Sequence, residues 1–360
     1  MLGVTLDLSA LTRADLKTLA PYIVPADFAK IRLADNENPY DFPDEVRDKI
    51  YQAIGKAEFN RYPDTNAEQL REKLAVYAGV SKENIMVGNG SDELILSSFL
   101  AFGVGASFIV TTPTFSMYGI HGRVAGAREI VIPRQPDFSL DVSRLISAAA
   151  SPDVKLMFLC NPNSPTGNIT PTEVIEEILA NSNAVVVVDE AYSEFSGTSV
   201  SSLLGRYPNL VILRTFSKAL SLAGLRVGYL LATDPLIQEL YKVKPPYNLN
   251  SFSQAAAITV LENLHLFQTR VKAILIQREK LAYGLSQIPG TKVYPTVTNF
   301  ILFHPGLPSK LVYDGLVERE IQIRIPGDPA LAGCLRVTVG TEKENNIFLA
   351  ALKEINYDNA

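Results

Sequence analysis

The chain has no tryptophan, two cysteines, three histidines and four methionines in 360 residues. Cys160 and Cys334 lie far apart in apolar, strand-like contexts, so a disulfide framework is excluded and a reducing compartment is expected. His121, His265 and His304 share no ligand spacing, and no metal site is expected. No basic stripe is present either. With a formal net charge of −5 and scattered lysines and arginines, a nucleic-acid surface is not expected. Long apolar runs are missing as well: stretches such as 99–110 are short and broken by glycine, so no membrane span is expected. The start, Met1-Leu-Gly-Val-Thr-Leu-Asp-Leu-Ser, lacks the basic and apolar regions of a signal peptide. A cytoplasmic protein is the expectation.

What is present is length and rhythm. A single core stops growing near ~250–300 residues, so two domains are expected. From about residue 66 to 233, short apolar runs alternate with helical patterns, the rhythm of an α/β domain with a mostly parallel sheet. A long amphipathic stretch, 251–286, reads as helix leading out of it. Strand-like pieces at 292–293, 299–303, 321–325 and 334–339, separated by helical pattern, fit a smaller α+β domain. The expected division is an arm at 1–44 that also forms part of the small domain, a large domain at 45–250, and a linking helix with the small domain at 251–360.

The most informative segment is Thr215-Phe-Ser-Lys-Ala-Leu-Ser-Leu-Ala-Gly-Leu-Arg-Val-Gly228. It sets Lys218 between a hydroxyl and an arginine in an apolar stretch that follows the strand 210–213. Lost hydration, with Arg226 nearby, makes the amine easier to deprotonate, and a neutral amine attacks aldehydes. Ser217 and Arg226 suit a phosphate carried by such an aldehyde. The plainer alternative is two cations snorkelling from a surface loop. In Ala184-Val-Val-Val-Val-Asp-Glu-Ala-Tyr192 a buried parallel strand ends in Asp189, at the edge where open α/β sheets bind ligands. An unpaired carboxylate there needs a cation, and a protonated pyridine nitrogen suits it; the alternative is a turn cap. Tyr192 would reach a phenolic oxygen on the same ring.

Two loops add to this. Asn84-Ile-Met-Val-Gly-Asn-Gly-Ser-Asp-Glu93 reads as strand, glycine turn and a helix beginning near Ser91. Gly90 and Ser91 there would offer backbone N–H groups to an anion. Asn161-Pro-Asn-Ser-Pro-Thr-Gly167, after the strand 155–160, is a rigid turn with free asparagine and serine groups. In the small domain, apolar alternation in Ile321-Gln-Ile-Arg-Ile325 and Leu335-Arg-Val-Thr-Val339 turns Arg324 and Arg336 away from the packed faces. They are either two forked cations facing one cleft or two solvated strand arginines.

In this order the segments resemble the pyridoxal-phosphate aminotransferases of fold type I, and within them the histidinol-phosphate aminotransferase family. The resemblance also covers Asp35-Asn-Glu-Asn-Pro-Tyr40, Arg61-Tyr-Pro-Asp64, Pro113-Thr-Phe-Ser-Met-Tyr118 and Gly333-Cys-Leu-Arg-Val-Thr-Val-Gly340. It implies an α/β fold with a mostly parallel, seven-stranded-type sheet and a smaller α+β domain. It further implies that Lys218 bonds the pyridoxal-phosphate aldehyde, Asp189 pairs with the ring nitrogen and Phe115 stacks on the ring. Gly90, Ser91, Asp92, Ser217 and Arg226 would surround the cofactor and its phosphate, and Tyr192 would bond the ring oxygen. Arg336 would bind the α-carboxylate of glutamate. Arg324 and Arg336 together would bind the substrate phosphate or distal carboxylate, completed by Tyr22 and by Tyr62 from a second subunit of a homodimer. The substrates implied are histidinol phosphate and glutamate or 2-oxoglutarate.

One departure stands out. The family usually shows Asn-Pro-Thr-Gly in the ring-oxygen loop, where this chain has Ser164 before Pro165; either Ser164 or Asn163 takes that contact. Threonine-phosphate decarboxylase and aromatic-amino-acid aminotransferase remain open as relatives of the same fold. A nicotinamide dehydrogenase is disfavoured, because Glu93 stands where the third glycine is needed and no acidic residue ends 108–111. The cofactor-binding half of a transcription regulator is disfavoured too, because too few residues precede the enzyme-like region for a helix-turn-helix module.

Overall fold

A computed structural model describes residues 7–17, 19–21, 29–56 and 58–359. The strands in chain order are β1 (Ile31–Arg32), β2 (Ile85–Asn89), β3 (Ser107–Thr112), β4 (Arg128–Pro133), β5 (Val154–Cys160), β6 (Val185–Asp189), β7 (Leu210–Thr215) and β8 (Val227–Ala232). After them come β9 (Lys292–Val293), β10 (Phe300–His304), β11 (Ile321–Gln322) and β12 (Leu335–Thr338).

β2 to β8 form one seven-stranded sheet in the order β2-β8-β7-β6-β5-β3-β4. The β4-β3-β5-β6-β7 pairs are parallel, and β8 runs antiparallel to both β7 and β2. Helices cover both faces, which is why the central strands carry nearly unbroken apolar runs. One face packs Val186, Val188, Ile212 and Leu231 against helices Asp44–Ile54, Glu68–Ala78 and Ser251–Glu262. The other packs Phe108, Phe158, Val187 and Leu213 against helix Ser91–Ser98 and its neighbours. The parallel strands deliver Asp189, and the loops after β3 and β5, to one edge of the sheet.

The stretch 251–286 is not one helix. It breaks at Asn263 (φ −119°, ψ 30°), leaving helices Ser251–Glu262 and Leu264–Ser286. Asn263 Nδ2 donates to Thr259 O at 2.8 Å, ending the first helix, and its Oδ1 accepts from Lys49 Nζ at 2.8 Å. Beyond it, β12-β10-β9 form a three-stranded antiparallel sheet, packed on helices Leu264–Ser286, Ser309–Glu318 and Glu342–Asp358 around Phe300, Phe303, Leu335, Val337 and Phe348. The last of these helices opens on a capping box between Thr341 and Glu344.

The segment 31–40 joins this C-terminal unit. β1 pairs with β11 in parallel, Thr338 N donates to Leu33 O at 2.8 Å, and Asn299 Nδ2 donates to Asn36 O at 3.0 Å. The same segment then reaches back to the seven-stranded sheet, where Asn38 Nδ2 donates to Ala219 O at 3.1 Å. It thereby ties the C-terminal unit to the loop that carries Lys218.

Candidate active site

Asp189 and Glu190 are adjacent carboxylates at the end of β6, and strand alternation sends them to different surroundings. Glu190 is enclosed by Arg214, whose Nε and Nη2 donate to Oε2 at 3.0 and 2.8 Å, and by Ser199 Oγ and the Val200 N–H. Its charge is satisfied inside the fold. Asp189, 3 % exposed, has a neutral set of donors: Tyr118 Oη to Oδ2 at 2.7 Å and the Ala191 N–H to Oδ1 at 3.0 Å. Burial pushes its carboxyl up to about 6, against the lowering effect of the Tyr118 hydroxyl. Of these two carboxylates, Asp189 is the one with no cationic partner among the described residues.

Tyr118 was not singled out from the sequence beyond its motif, yet it fixes Asp189. It is fully buried, stacks on Phe158 at 4.9 Å, and meets Phe115 edge-on at 5.5 Å. Phe115 itself is half-buried at the same edge of the sheet.

The turn after β2 is shaped for an anion. Gly90 (φ +81°) precedes helix Ser91–Ser98, and a Cβ on it would sit 2.6 Å from Arg226 Nη2. A Cβ on Gly228 would sit 2.5 Å from Ser91 N. Glycine at both positions lets β8 and Arg226 close onto the helix N-terminus, where backbone donors and the helix dipole favour negative charge. Arg226, itself left-handed at φ +51°, donates from Nη2 to Asp92 Oδ2 at 3.0 Å. Asp92 Oδ1 is buried and has no hydrogen-bond partner among the described residues. Ser217 is buried beside this turn-and-strand pair, its N–H donating to Thr215 Oγ1 at 3.0 Å.

Lys218 is half-buried, and its Nζ donates to Asp35 O at 2.7 Å. Its ammonium is lowered to about 8, first by enclosure and then by the Arg336 guanidinium, with Asp35 and Glu37 opposing them. The sequence had assigned the neighbouring-cation effect to Arg226; Arg226 contributes, but less than Arg336 does.

Arg324 and Arg336 are direct partners in an antiparallel bridge, with N–O contacts of 3.0 and 2.9 Å between their main chains. Directly opposed residues share a face, so the two guanidinium-bearing residues lie on one side of this pair. Arg336 is 9 % exposed, lies over the Phe300 ring at 5.3 Å, and donates to Ala34 O and, at 3.3 Å, to Ser164 Oγ. Arg324 Nη2 donates to Asp35 Oδ1 at 2.6 Å.

Ser164 and Asn163 differ in what their side chains have left to offer. Asn163 Nδ2 donates to Pro113 O (3.0 Å) and Thr166 Oγ1 (2.6 Å), and its Oδ1 accepts from Thr114 Oγ1 (3.0 Å) and Arg134 Nη2 (3.1 Å). An amide has no further capacity. Ser164 faces Arg336 and Tyr192. Tyr192 is buried and accepts from Asn36 Nδ2 at 2.8 Å. Asp35 and Asn36 were missed as site residues. Their signals were the polar run Asp35-Asn-Glu-Asn38 between apolar neighbours and the place of that segment in the family resemblance, neither of which gave them a role.

Tyr62 lies outside this cluster, 80 % exposed and stacked on Tyr247 at 4.5 Å. Tyr22 lies outside the described residues.

The model of the family "Aminotransferase class I and II" matches residues 29–352. The chain is 42 % identical over 347 residues to the histidinol-phosphate aminotransferase of Thermoanaerobacter pseudethanolicus, covering 96 % of this chain and 98 % of that protein. It is 45 % identical over 343 residues to histidinol-phosphate aminotransferase 1 of Carboxydothermus hydrogenoformans, covering 95 % and 97 %. Among solved structures, the histidinol-phosphate aminotransferase of Sinorhizobium meliloti in complex with pyridoxal-5'-phosphate superposes with a TM-score of 0.85 at 27 % identity, covering 92 % of each chain. With a buried carboxylate, a glycine-lined anion turn and a half-buried lysine grouped at one edge of the sheet, the chain belongs to the class I and II aminotransferases of fold type I.

Proposed function

We propose that the chain is a histidinol-phosphate aminotransferase that uses pyridoxal phosphate to move an amino group between L-histidinol phosphate and 2-oxoglutarate, a step of histidine biosynthesis. The observation that carries the substrate choice is the opposed pair Arg324 and Arg336 beside Lys218, together with relatives of that name over nearly the whole chain.

The residues fit the cofactor. The Gly90–Ser91 turn, Ser217 and Arg226 suit its phosphate, since a side chain at Gly90 or Gly228 would fill that space. Asp189, buried and without a cationic partner among the described residues, suits a protonated ring nitrogen. Tyr192 and Ser164 suit the ring oxygen, and Phe115 the ring face. When bound, pyridoxal phosphate supplies an aldehyde for the amine and a ring that takes up the electrons of the broken C–H bond.

The chain's own groups do the rest. Lys218, easily neutralised at Nζ, would hold the aldehyde that the cofactor supplies and would carry the proton from the amine-bearing carbon. Asp189 would stay ionised opposite a protonated ring nitrogen, and the Tyr118 hydroxyl donates to its Oδ2. Arg336 orients the α-carboxylate of glutamate with a forked, enclosed guanidinium. Arg324 receives the far anion.

The division into an arm (1–44), a cofactor-binding part (45–250) and a C-terminal part (251–360) is retained in this reading, as is a homodimer with shared sites. Tyr62, exposed on its own chain, would complete the anion site of a second copy along with Tyr22. Inactive Lys218→Ala and inactive Tyr62→Ala chains, mixed and allowed to exchange, should then regain up to one intact site per mixed dimer; no recovery after verified exchange refutes sharing. A cytoplasmic setting is supported by two buried free thiols; among the described residues no helix is long and apolar enough to cross a membrane.

The test is kcat/KM for amino transfer from histidinol phosphate and phenylalanine, alongside CO2 release from O-phosphothreonine. Histidinol phosphate is expected to lead. Dominant CO2 release would make the protein a decarboxylase, and a lead by phenylalanine would leave the arginine pair without its phosphate.

A further inference from the structure

Asn36 sits between the three-stranded sheet and Tyr192, and each of its polar groups has a partner. Its backbone is left-handed at φ +55°, a conformation that asparagine tolerates better than most residues. Its N–H donates to Thr338 Oγ1 at 2.9 Å, its carbonyl accepts from Asn299 Nδ2 at 3.0 Å, and its Oδ1 accepts from Thr338 Oγ1 at 3.3 Å. That leaves Nδ2, which donates to Tyr192 Oη at 2.8 Å. Asn36, Thr338 and Asn299 are all buried, so these partners are not exchanged for bulk water.

The order of donors is fixed from the backbone outward. A main-chain N–H only donates, so Thr338 Oγ1 accepts it and gives its own hydrogen to Asn36 Oδ1. A flipped amide would aim a second donor at the Thr338 oxygen and take the acceptor from a buried hydroxyl hydrogen, which is costly. Nδ2 therefore faces Tyr192. Since an amide nitrogen accepts nothing, the single Tyr192 hydrogen is directed elsewhere. That hydrogen is retained, because burial raises the phenol, with Arg336 and then the Asn36 amide opposing it. Arg336 from β12 and Cys160 from β5 also face this hydroxyl, and Ser164 lies beside it.

We propose that Asn36 is a positioning residue that points the Tyr192 hydroxyl hydrogen at the ring oxygen of the cofactor. A hydrogen bond given to that oxygen favours its anion, and so lowers the proton affinity of the nearby nitrogen that joins the cofactor to Lys218. Asn36 tunes that nitrogen through Tyr192 alone. The proposal rests on the reading of Tyr192 as a ring-oxygen partner and deepens it.

The test is the pH midpoint of the cofactor's visible absorbance in holoenzyme, a readout taken without substrate. Tyr192→Phe should raise the midpoint by about one to two pH units. Asn36→Gly removes the amide and suits the left-handed backbone, and it should raise the midpoint by roughly half a unit. Thr338→Val, which removes the hydroxyl that orients the amide, should raise it by less. In a Tyr192→Phe background, Asn36→Gly should add nothing. A midpoint left unmoved by Asn36→Gly would make the residue merely structural and overturn the proposal. A lowered midpoint would also overturn it, since the amide would then have been taking the Tyr192 hydrogen. So would a rise that persists without Tyr192, which would mean that Asn36 acts by another route. A midpoint that Tyr192→Phe itself leaves unchanged would remove the reading of Tyr192, and the proposal with it.

Discussion

Lys218→Ala removes amino transfer while leaving a protein that folds and holds pyridoxal phosphate. The substituted side chain makes one hydrogen bond, to Asp35 O, and removing a half-buried cation relieves some desolvation, so stability should change little. The anion turn at Gly90 and Arg226 and the carboxylate of Asp189 remain. What disappears is the group that frees the aldehyde and carries the proton. A fall in kcat/KM of on the order of 10⁴-fold or more is expected. With the parent protein, borohydride should fix the cofactor to Lys218 alone; attachment to another lysine would contradict the assignment. The pH dependence follows from the amine. Nζ is lowered to about 8, so capture of the aldehyde by cofactor-free protein should fall roughly tenfold per pH unit well below that value and level off above it.

Asp189→Asn should be nearly as damaging to activity and should stabilise the cofactor-free protein. An amide cannot hold a proton on the ring nitrogen, so the ring loses its capacity to take up electrons; a loss of about 10³-fold or more is expected. The stability effect has a definite sign. The Asp189 carboxyl is raised from 3.8 to about 6 in the folded protein, so the folded state binds the proton more tightly than the unfolded state. Its contribution to stability is full below about 3.8 and is lost as pH rises through about 6. Above that window the buried charge costs on the order of 3 kcal/mol. Cofactor-free Asp189→Asn should therefore melt higher than the parent at pH 7.5, with the gain vanishing near pH 4. A gain of equal size at both pH values would mean the effect does not come from ionisation.

The residues legible in the sequence share a physical trait: each is a polar group placed against its apolar surroundings. Asp189 ends a run of valines, Lys218 interrupts a buried segment, and Arg324 and Arg336 break an apolar alternation. The strands of the large sheet were legible for the same reason, through their β-branched runs. Direction was not, because an apolar run reads alike whether its neighbours are parallel or antiparallel, and β8 with its antiparallel pairs emerges only from the fold. The break at Asn263 was hidden as well, since apolar periodicity continues through it while the local hydrogen bonds of one side chain end the helix.

Contacts between distant segments were the main loss. Tyr118 meets Asp189 across 71 residues and Asp35 meets Lys218 across 183, and nothing local to either partner marks the other. The ring-oxygen loop is an intermediate case. Its composition left Asn163 and Ser164 equal, and packing separates them by consuming every hydrogen-bonding position of the Asn163 amide.

The central claim is that the amino group is carried through one site in two halves, from a phosphorylated amine to 2-oxoglutarate. The most direct measurement exposes holoenzyme to excess L-histidinol phosphate without any oxo acid, removes the free substrate, and then adds 2-oxoglutarate. About one equivalent of glutamate per site should be released, after one equivalent of the oxo product formed in the first step, with Lys218→Ala releasing none. Failure to form glutamate after verified cofactor loading, or release of CO2 when O-phosphothreonine replaces histidinol phosphate with no amino group retained, would contradict it.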